Sequence, residues 1–134
     1  MTWGVEELTV RYGRKRALRS VSLQLEPGLV HAVVGGDGAG KSTLLRVLAG
    51  IGLDSDGIVQ IPGQGRIGYV PPAGGVFADL TVDENMEFVA DAYKLRDWEA
   101  RASVLLTKAG IERFGDRLAG KLSGGQRRKL AGSM

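Results

Sequence analysis

The stretch Gly35–Ser42, "GGDGAGKS", determines how the rest of the sequence is interpreted. It fits the pattern G-x-x-x-x-G-K-[ST], in which glycines allow successive backbone N–H groups to turn toward phosphate oxygens. Lys41 supplies a mobile positive charge, and the hydroxyl of Ser42 is a suitable ligand for Mg²⁺. A helix that begins at Lys41 directs the positive end of its dipole toward the same anion. The stretch therefore predicts a loop that binds the phosphates of a nucleoside triphosphate.

The segments on either side of this loop support the same interpretation. The run "LVHAVVGG" at 29–36 is nearly all apolar, which is typical of a strand buried on both faces. The segment "KSTLLRVLAG" at 41–50 has helical spacing. Nearer the N-terminus, "VEELTV" at 5–10 and "SVSLQL" at 20–25 alternate apolar and polar residues, as half-buried strands do. The loop is thus predicted to lie between a strand and a helix, where phosphate binding requires it.

The second half of the chain changes from strand to helical patterns. Short strands are predicted around "GIVQI" at 57–61 and "RIGYV" at 66–70. Thr81 followed by Glu84 predicts a capping box at the start of a helix, and a second helix is expected to begin near Asp97. The expected apolar faces of these helices contain Val82, Met86, Val89 and Tyr93 in the first and Trp98, Ala102, Leu105, Leu106 and Ala109 in the second. We expect both faces to pack in a hydrophobic core.

Composition and charge exclude several classes of protein. The chain has 134 residues, of which 43% are apolar and 25% charged, and no apolar run approaches the length of a membrane helix. The N-terminus lacks the pattern of a secretory signal, and the absence of cysteine excludes disulfides and cysteine metal sites. The net charge of +3 is concentrated at 11–19 and 127–129. Because these clusters lack the series of aromatic residues that stacking on bases requires, we expect solvated surfaces rather than a nucleic-acid site.

Two motifs together suggest a family. With "GGDGAGKST" at 35–43 and "LSGGQ" at 122–126, the sequence resembles the ATP-binding subunit of ATP-binding-cassette (ABC) transporters, from end to end, and within that family the bacterial drug-exporter type. The resemblance implies an α/β fold with an antiparallel β subdomain and a phosphate-loop (P-loop) NTPase core over 1–80. It implies a helical subdomain with the signature motif over 81–134, and a chain that ends before the Walker B strand.

The resemblance also implies a set of site residues, with ATP and Mg²⁺ as the ligands. Tyr12 would stack on adenine, and Ser42 would hold the metal ion. The expected nucleotide-binding loop comprises Gly35, Gly36, Asp37, Gly38, Ala39, Gly40, Lys41, Ser42 and Thr43. The residues expected to act in catalysis are Lys41, Ser123, Gly125 and Gln126, and the last three, with Gly124, would contact the γ-phosphate of ATP held by a second subunit. As a local feature, Ser123 is expected to cap a helix N-terminus.

Two departures from the family pattern affect the expected activity. Pro72 stands where the family has a glutamine that helps to hold magnesium and senses the transport partner. The aspartate, glutamate and histidine that the family places after the signature helix would lie beyond Met134. Asp79 has no glutamate after it, and His31 is expected to be a strand histidine with local bonding, so neither replaces them. The 134-residue chain alone is therefore expected to be inactive as an ATPase.

The function that the resemblance implies belongs to a larger assembly. Two subunits, as a homo- or heterodimer, would hydrolyse ATP at a head-to-tail interface and drive transmembrane transporter domains. The location implied is the cytoplasmic face of the plasma membrane. Two alternatives stay open: a nucleotide-binding module that never hydrolyses ATP, and a soluble ABC ATPase of DNA repair or ribosome function. Long insertions or tandem cassettes would favour the latter, and neither is visible in the sequence.

Overall fold

The structure, a computed structural model, describes residues 2–63 and 65–134. The chain divides into two compact units, the first extending to Tyr69 and the second from Val70 to Met134. The motif-based domain boundary between residues 80 and 81 lies later than this division and stays a prediction. Among the helices that the described residues form, none has both the length and the apolar composition needed to cross a membrane.

The first unit is built on a three-stranded antiparallel sheet. Its strands are β1 (Trp3–Tyr12), β2 (Lys15–Leu25) and β3 (Asp54–Gln60), and β1 lies in the centre, between β2 and β3. Helix α1 (Lys41–Leu48) follows the glycine-rich loop. The apolar side chains that the alternating pattern selects form the core together with α1: Val5, Leu8, Val10, Leu18, Leu44 and Val47. The predicted antiparallel β subdomain and the helix after the loop are confirmed.

Two irregularities in the β1–β2 ladder are stabilised by side chains. Glu7 and Ser20 adopt left-handed backbone conformations, with φ of 49° and 46°, and the pairing register shifts beside them. The backbone N–H of Glu7 donates to Ser22 Oγ, and that of Ser20 donates to Thr9 Oγ1, each at 3.0 Å. These side-chain acceptors replace ladder partners that the bulges remove. The hairpin therefore closes in a defined register at its far end, next to the glycine-rich loop.

The predicted buried strand at 29–36 was wrong. No strand of the described residues pairs with this segment, and Leu29, Val30 and Val34 are 61%, 100% and 88% exposed. An apolar run forms an interior strand only when neighbouring strands satisfy its N–H and C=O groups, and the three strands of this unit pair with one another instead. The predicted strand at 66–70 was also wrong, since this segment has no regular structure.

The second unit is helical. It contains α2 (Val82–Ala92), α3 (Trp98–Ala109) and α4 (Gly124–Ser133), with 3₁₀ turns at Glu112–Phe114 and Ala119–Lys121. Its buried core comprises Val82, Met86, Ala102, Leu106, Ile111, Ala119, Leu122 and Leu130. The predicted core positions Val82, Met86, Ala102 and Leu106 are thus buried, whereas Tyr93 is 39% exposed, because the buried face of α2 continues through Asn85 and Ala90 instead.

The predicted capping box at the start of α2 is confirmed. The backbone N–H of Glu84 donates to Thr81 Oγ1 at 3.1 Å, and the backbone N–H of Thr81 donates to Glu84 Oε2 at 2.8 Å. The two bonds satisfy donors that would otherwise lack partners at the helix end. Helix α3 likewise begins after Asp97, as its spacing predicts, with Asp97 in a left-handed conformation.

A buried amide joins the preceding loop to α2. Asn85 is fully buried, and its Nδ2 group donates to the carbonyl oxygens of Phe77, Leu80 and Thr81 at 3.0, 3.3 and 2.9 Å. Its Oδ1 atom accepts a bond from the Phe77 backbone N–H at 2.8 Å. One side chain therefore fixes the path of residues 77–81 against α2.

Candidate nucleotide-binding site

The glycine-rich loop turns sharply before α1. Gly38 and Gly40 have φ of 77° and 98°, in the left-handed region that favours glycine. A Cβ atom on Gly40 would lie 2.5 Å from Leu18 Cδ2 and 2.8 Å from the carbonyl oxygen of Ala17. Only glycine therefore allows the loop to reach its position against β2.

The N-terminus of α1 has no capping side chain. Gly40 occupies the cap position without a side-chain hydrogen bond, and the first turn contains no acidic residue. The first backbone N–H groups of a helix lack intrahelical partners, and the helix dipole adds positive charge there. Because no side chain accepts hydrogen bonds from these N–H groups, they are available to bind an anion.

Lys41 is held across the entrance of the loop. Its Nζ atom donates to the carbonyl oxygens of Gly35 and Gly36, each at 2.7 Å. The loop is also closed by a bond from the Ala39 backbone N–H to the Gly36 carbonyl oxygen, at 3.2 Å. An ammonium group has three donors, so the lysine is fixed over the loop with one donor to spare.

The loop borders a cavity of about 380 Å³. Its lining residues are Tyr12, Lys15, Arg16, Ala17, Asp37, Gly38, Ala39, Gly40, Lys41, Ser42 and Thr43. Of the predicted binding residues in this unit, only Gly35 and Gly36 do not line the cavity, and both contact Lys41 instead. The structure thus brings Tyr12 and the phosphate loop around one space of a size that suits a small ligand.

Three lining residues were missed by the sequence analysis. Lys15, Arg16 and Ala17 begin β2, directly after the turn that follows Tyr12. The signal was present, because a two-residue turn containing glycine predicts a tight hairpin and so places Lys15 opposite Tyr12. The composition alone had indicated that Lys15 and Arg16 belong to a solvated cluster of charges.

The signature segment forms a second capping box. The backbone N–H of Gln126 donates to Ser123 Oγ at 3.1 Å, and the backbone N–H of Ser123 donates to Gln126 Oε1 at 2.9 Å. Both side chains therefore fix the start of α4, and Ser123 caps the helix as predicted. Gly124 and Gly125 are exposed, and a Cβ atom on either would meet nothing within 4 Å. The fold of this chain does not itself require glycine at these two positions.

We expect Ser123→Ala to destabilise the helical unit by about 1 kcal/mol, because the Gln126 N–H loses its acceptor. The matched control is Gly124→Ala, which meets no atom within 4 Å and replaces a helical glycine by the best helix former. That control should leave the unit equally or more stable. Urea denaturation followed by circular dichroism measures both, and an unchanged midpoint for Ser123→Ala would contradict the cap.

Pro72, Asp79 and His31 differ in their surroundings. Pro72 is exposed within the turn that the Gly74 N–H to Pro71 carbonyl bond closes, and it lines a cavity of about 270 Å³ together with the start of α4. Asp79 is exposed. His31 Nε2 accepts a bond from the Glu26 backbone N–H at 3.0 Å, so its bonding is local as expected, although the segment is not a strand. In the described part of the chain, no group of three or more His, Cys, Asp or Glu residues could hold a metal ion.

These features are typical of one class, namely nucleotide-binding proteins in which a glycine-rich loop lies between a strand and the helix that follows it. A sequence profile described as "ABC transporter" matches residues 18–131. The chain belongs to the ABC transporter family.

Individual relatives agree with this assignment. The chain is 36% identical to the "Probable sulfate/thiosulfate import ATP-binding protein CysA" of Chlorella vulgaris, over 95% of this chain and 58% of that protein. It is 37% identical to the "Probable multidrug ABC transporter ATP-binding protein YbhF" of Escherichia coli (strain K12), over 87% of this chain and 22% of that protein. A solved structure, "Structure of ATP binding subunit of ABC transporter", matches with a TM-score of 0.89 at 25% identity, over 99% of this chain and 60% of that one.

The chain spans 58% or less of each of these curated relatives. The relatives include an import protein and a probable multidrug protein, so the expected drug-exporter type stays a prediction.

Proposed function

We propose that this chain is the ATP-binding part of an ABC transporter ATPase and binds ATP through residues 35–43 and Tyr12. The observation that carries the proposal is the cavity that joins Tyr12 to the phosphate loop, with Lys41 fixed across the loop. Family membership supports it, since the relatives are named as ATP-binding proteins.

Different residues would contact different parts of the nucleotide. Tyr12 is 43% exposed at the end of β1, so its ring is available to stack on adenine. Lys41 would exchange its two carbonyl partners for phosphate oxygens, which are stronger acceptors for an ammonium group because they carry charge. The uncapped N-terminus of α1 and the backbone of Gly38 and Gly40 would surround the same phosphates.

Ser42 would hold Mg²⁺ together with the nucleotide. Its side chain lies in the exposed first turn of α1, beside the cavity. Magnesium keeps several waters and is commonly bound by one or two protein ligands plus substrate phosphates. One hydroxyl therefore fits a metal ion that arrives with ATP, and the ion would neutralise charge on the phosphates.

Ser123, Gly125 and Gln126 would act on ATP held by a second subunit. The open space around Gly124 and Gly125 supports close approach of another chain to the start of α4. Such an arrangement would have ATP hydrolysed at a head-to-tail interface, in a homo- or heterodimer. One copy of this chain would bind nucleotide, and turnover would require the second subunit.

The proposed assembly is a transporter. ATP hydrolysis would drive transmembrane domains, and this chain would lie against their cytoplasmic side, at the inner face of the plasma membrane. Pro72 offers no side-chain oxygen and restricts the backbone of its loop, so the loop would contribute less to magnesium binding and coupling than a glutamine loop.

We expect Lys41→Ala to weaken ATP binding about ten- to a hundredfold, the worth of a charge-assisted hydrogen bond. Isothermal titration calorimetry with Mg-ATP measures the change. The matched control is Arg19→Ala, which removes an equal charge from an exposed position of β2 that does not line the cavity. Equal affinities for the wild type and Lys41→Ala would refute nucleotide binding at this loop.

A further inference from the structure

We propose that Lys15 is a further nucleotide contact, which binds the phosphate chain of ATP from the β-hairpin side of the cavity. The proposal rests on the proposed function, because it assigns a second cation to the same nucleotide. Neither the phosphate-loop motif nor the signature motif includes this residue.

The strand register places Lys15 beside the aromatic residue of the site. Tyr12 and Lys15 are directly paired across the β1–β2 ladder, on either side of the Gly13-Arg14 turn. Directly paired residues of an antiparallel ladder have their side chains on the same face, with Cβ atoms about 4.5–5.5 Å apart. Both residues line the cavity that the phosphate loop borders. The ammonium group of Lys15 can therefore reach a ligand that contacts Tyr12.

The charge of Lys15 is not neutralised within the described residues. The ion pair of this sheet joins Arg11 in β1 to Asp56 in β3 at 2.6 Å, and no carboxylate of the described chain lies within ion-pair distance of Lys15. Lys15 is exposed, so its flexible stem can move toward a ligand without breaking a contact that stabilises the fold. An unpaired ammonium at the rim of a phosphate-binding cavity matches an anionic ligand.

Lys15 and Lys41 contact the cavity from different elements. Lys41 begins α1 and is held by the carbonyl oxygens of Gly35 and Gly36. Lys15 begins β2, next to Tyr12. A nucleotide with its base on Tyr12 and its terminal phosphates in the loop would pass Lys15 between these two ends. The second cation would then add affinity for any nucleotide that carries phosphate, and none for the nucleoside.

The neighbouring cation provides a contrast. Arg16 is paired with Arg11, and consecutive residues of a strand point to opposite faces. Lys15 is therefore the cation paired with Tyr12, whereas Arg16 also lines the cavity but is paired with Arg11. Arg14 lies in the turn, is exposed and does not line the cavity, so it offers a matched control of equal charge one residue away.

The test is a calorimetric titration of the wild type, Lys15→Ala, Lys15→Arg and Arg14→Ala with ATP and with adenosine. Lys15→Ala should weaken ATP binding about three- to tenfold, as expected for an exposed charge contact. Lys15→Arg and Arg14→Ala should each stay within about twofold of the wild type. Adenosine affinity should be the same in all four proteins. Circular dichroism of each variant verifies that the hairpin is intact.

Three results would overturn the proposal. Unchanged ATP affinity in Lys15→Ala would show that the residue makes no contact. An equal loss in Arg14→Ala would show that the hairpin acts only through its total charge. An equal loss for adenosine would show that Lys15 packs on the base instead of binding phosphate. If Lys41→Ala weakens ATP binding relative to the wild type and Lys15→Ala does not, the proposed function stands. That result would refute only the inference about Lys15.

Discussion

Gly40→Ala should disrupt the phosphate loop and destabilise the first unit by about 2–4 kcal/mol, the combined effect of backbone strain and overpacking. The backbone at Gly40 has φ of 98°, which an alanine adopts only with strain. The added methyl group would also overlap Leu18 Cδ2 and the Ala17 carbonyl oxygen in β2. Because moving the backbone of β2 would disrupt its ladder hydrogen bonds, the loop must move instead. We therefore expect ATP binding to be lost.

Urea denaturation of a Trp98→Phe background isolates the first unit, since Trp3 is then the remaining tryptophan and lies in β1. The matched control is Gly36→Ala, where a Cβ atom would meet nothing within 4 Å. This control should be neutral or more stable by up to about 1 kcal/mol, because alanine restricts the unfolded chain. Equal midpoints for Gly40→Ala and Gly36→Ala would argue against the described loop conformation.

Asn85→Leu should destabilise the helical unit by about 2–4 kcal/mol, the cost of leaving several partly buried polar groups without partners. The substitution keeps the number of non-hydrogen side-chain atoms but removes all four hydrogen bonds to Phe77, Leu80 and Thr81. The Phe77 N–H group would lose the acceptor that the Asn85 side chain gives it. We therefore expect the segment 77–81 to separate from α2 before the helices unfold.

The measurement uses Trp98 in a Trp3→Phe background, because Trp98 packs against the core of the helical unit. Glu87→Leu is the matched control: it introduces the same residue two positions away, on the exposed side of α2. Surface substitutions of this kind usually change stability by less than about 0.5 kcal/mol. If Asn85→Leu unfolded at the same urea concentration as this control, the buried amide would not contribute to the stability of the helical unit.

Local sequence patterns predicted the features that depend on neighbouring residues. The two capping boxes need only a hydroxyl and a side chain three residues later, so Thr81–Glu84 and Ser123–Gln126 could be predicted from spacing. The strands β1 and β2 could be predicted from the alternation of apolar and polar residues. They pair with each other across a tight turn, so their pairing needs no distant segment.

Features that depend on distant partners could not be predicted in the same way. The apolar composition at 29–36 predicts burial, but burial requires strands that pair with it, and none of the described strands does so. The role of Asn85 depends on a loop that curves back onto α2, which no periodic pattern encodes. In the site, the motif indicated the phosphate loop, whereas the proximity of Lys15 to Tyr12 depends on the turn that pairs β1 with β2.

The order of the strands has a consequence for how the first unit tolerates a cut backbone. Because β1 lies between β2 and β3, the phosphate loop belongs to a connection that leaves one edge strand and returns to the other. Val30, in this connection, is fully exposed, and exposed connections are where proteases cleave most readily. A cut there would leave no covalent link between the β1–β2 hairpin and the loop. The hydrogen bonds of the β1–β3 ladder would still hold the two fragments together. The protein could thus be divided at this point into two pieces that associate through a β-ladder, with Tyr12 on one piece and Lys41 on the other.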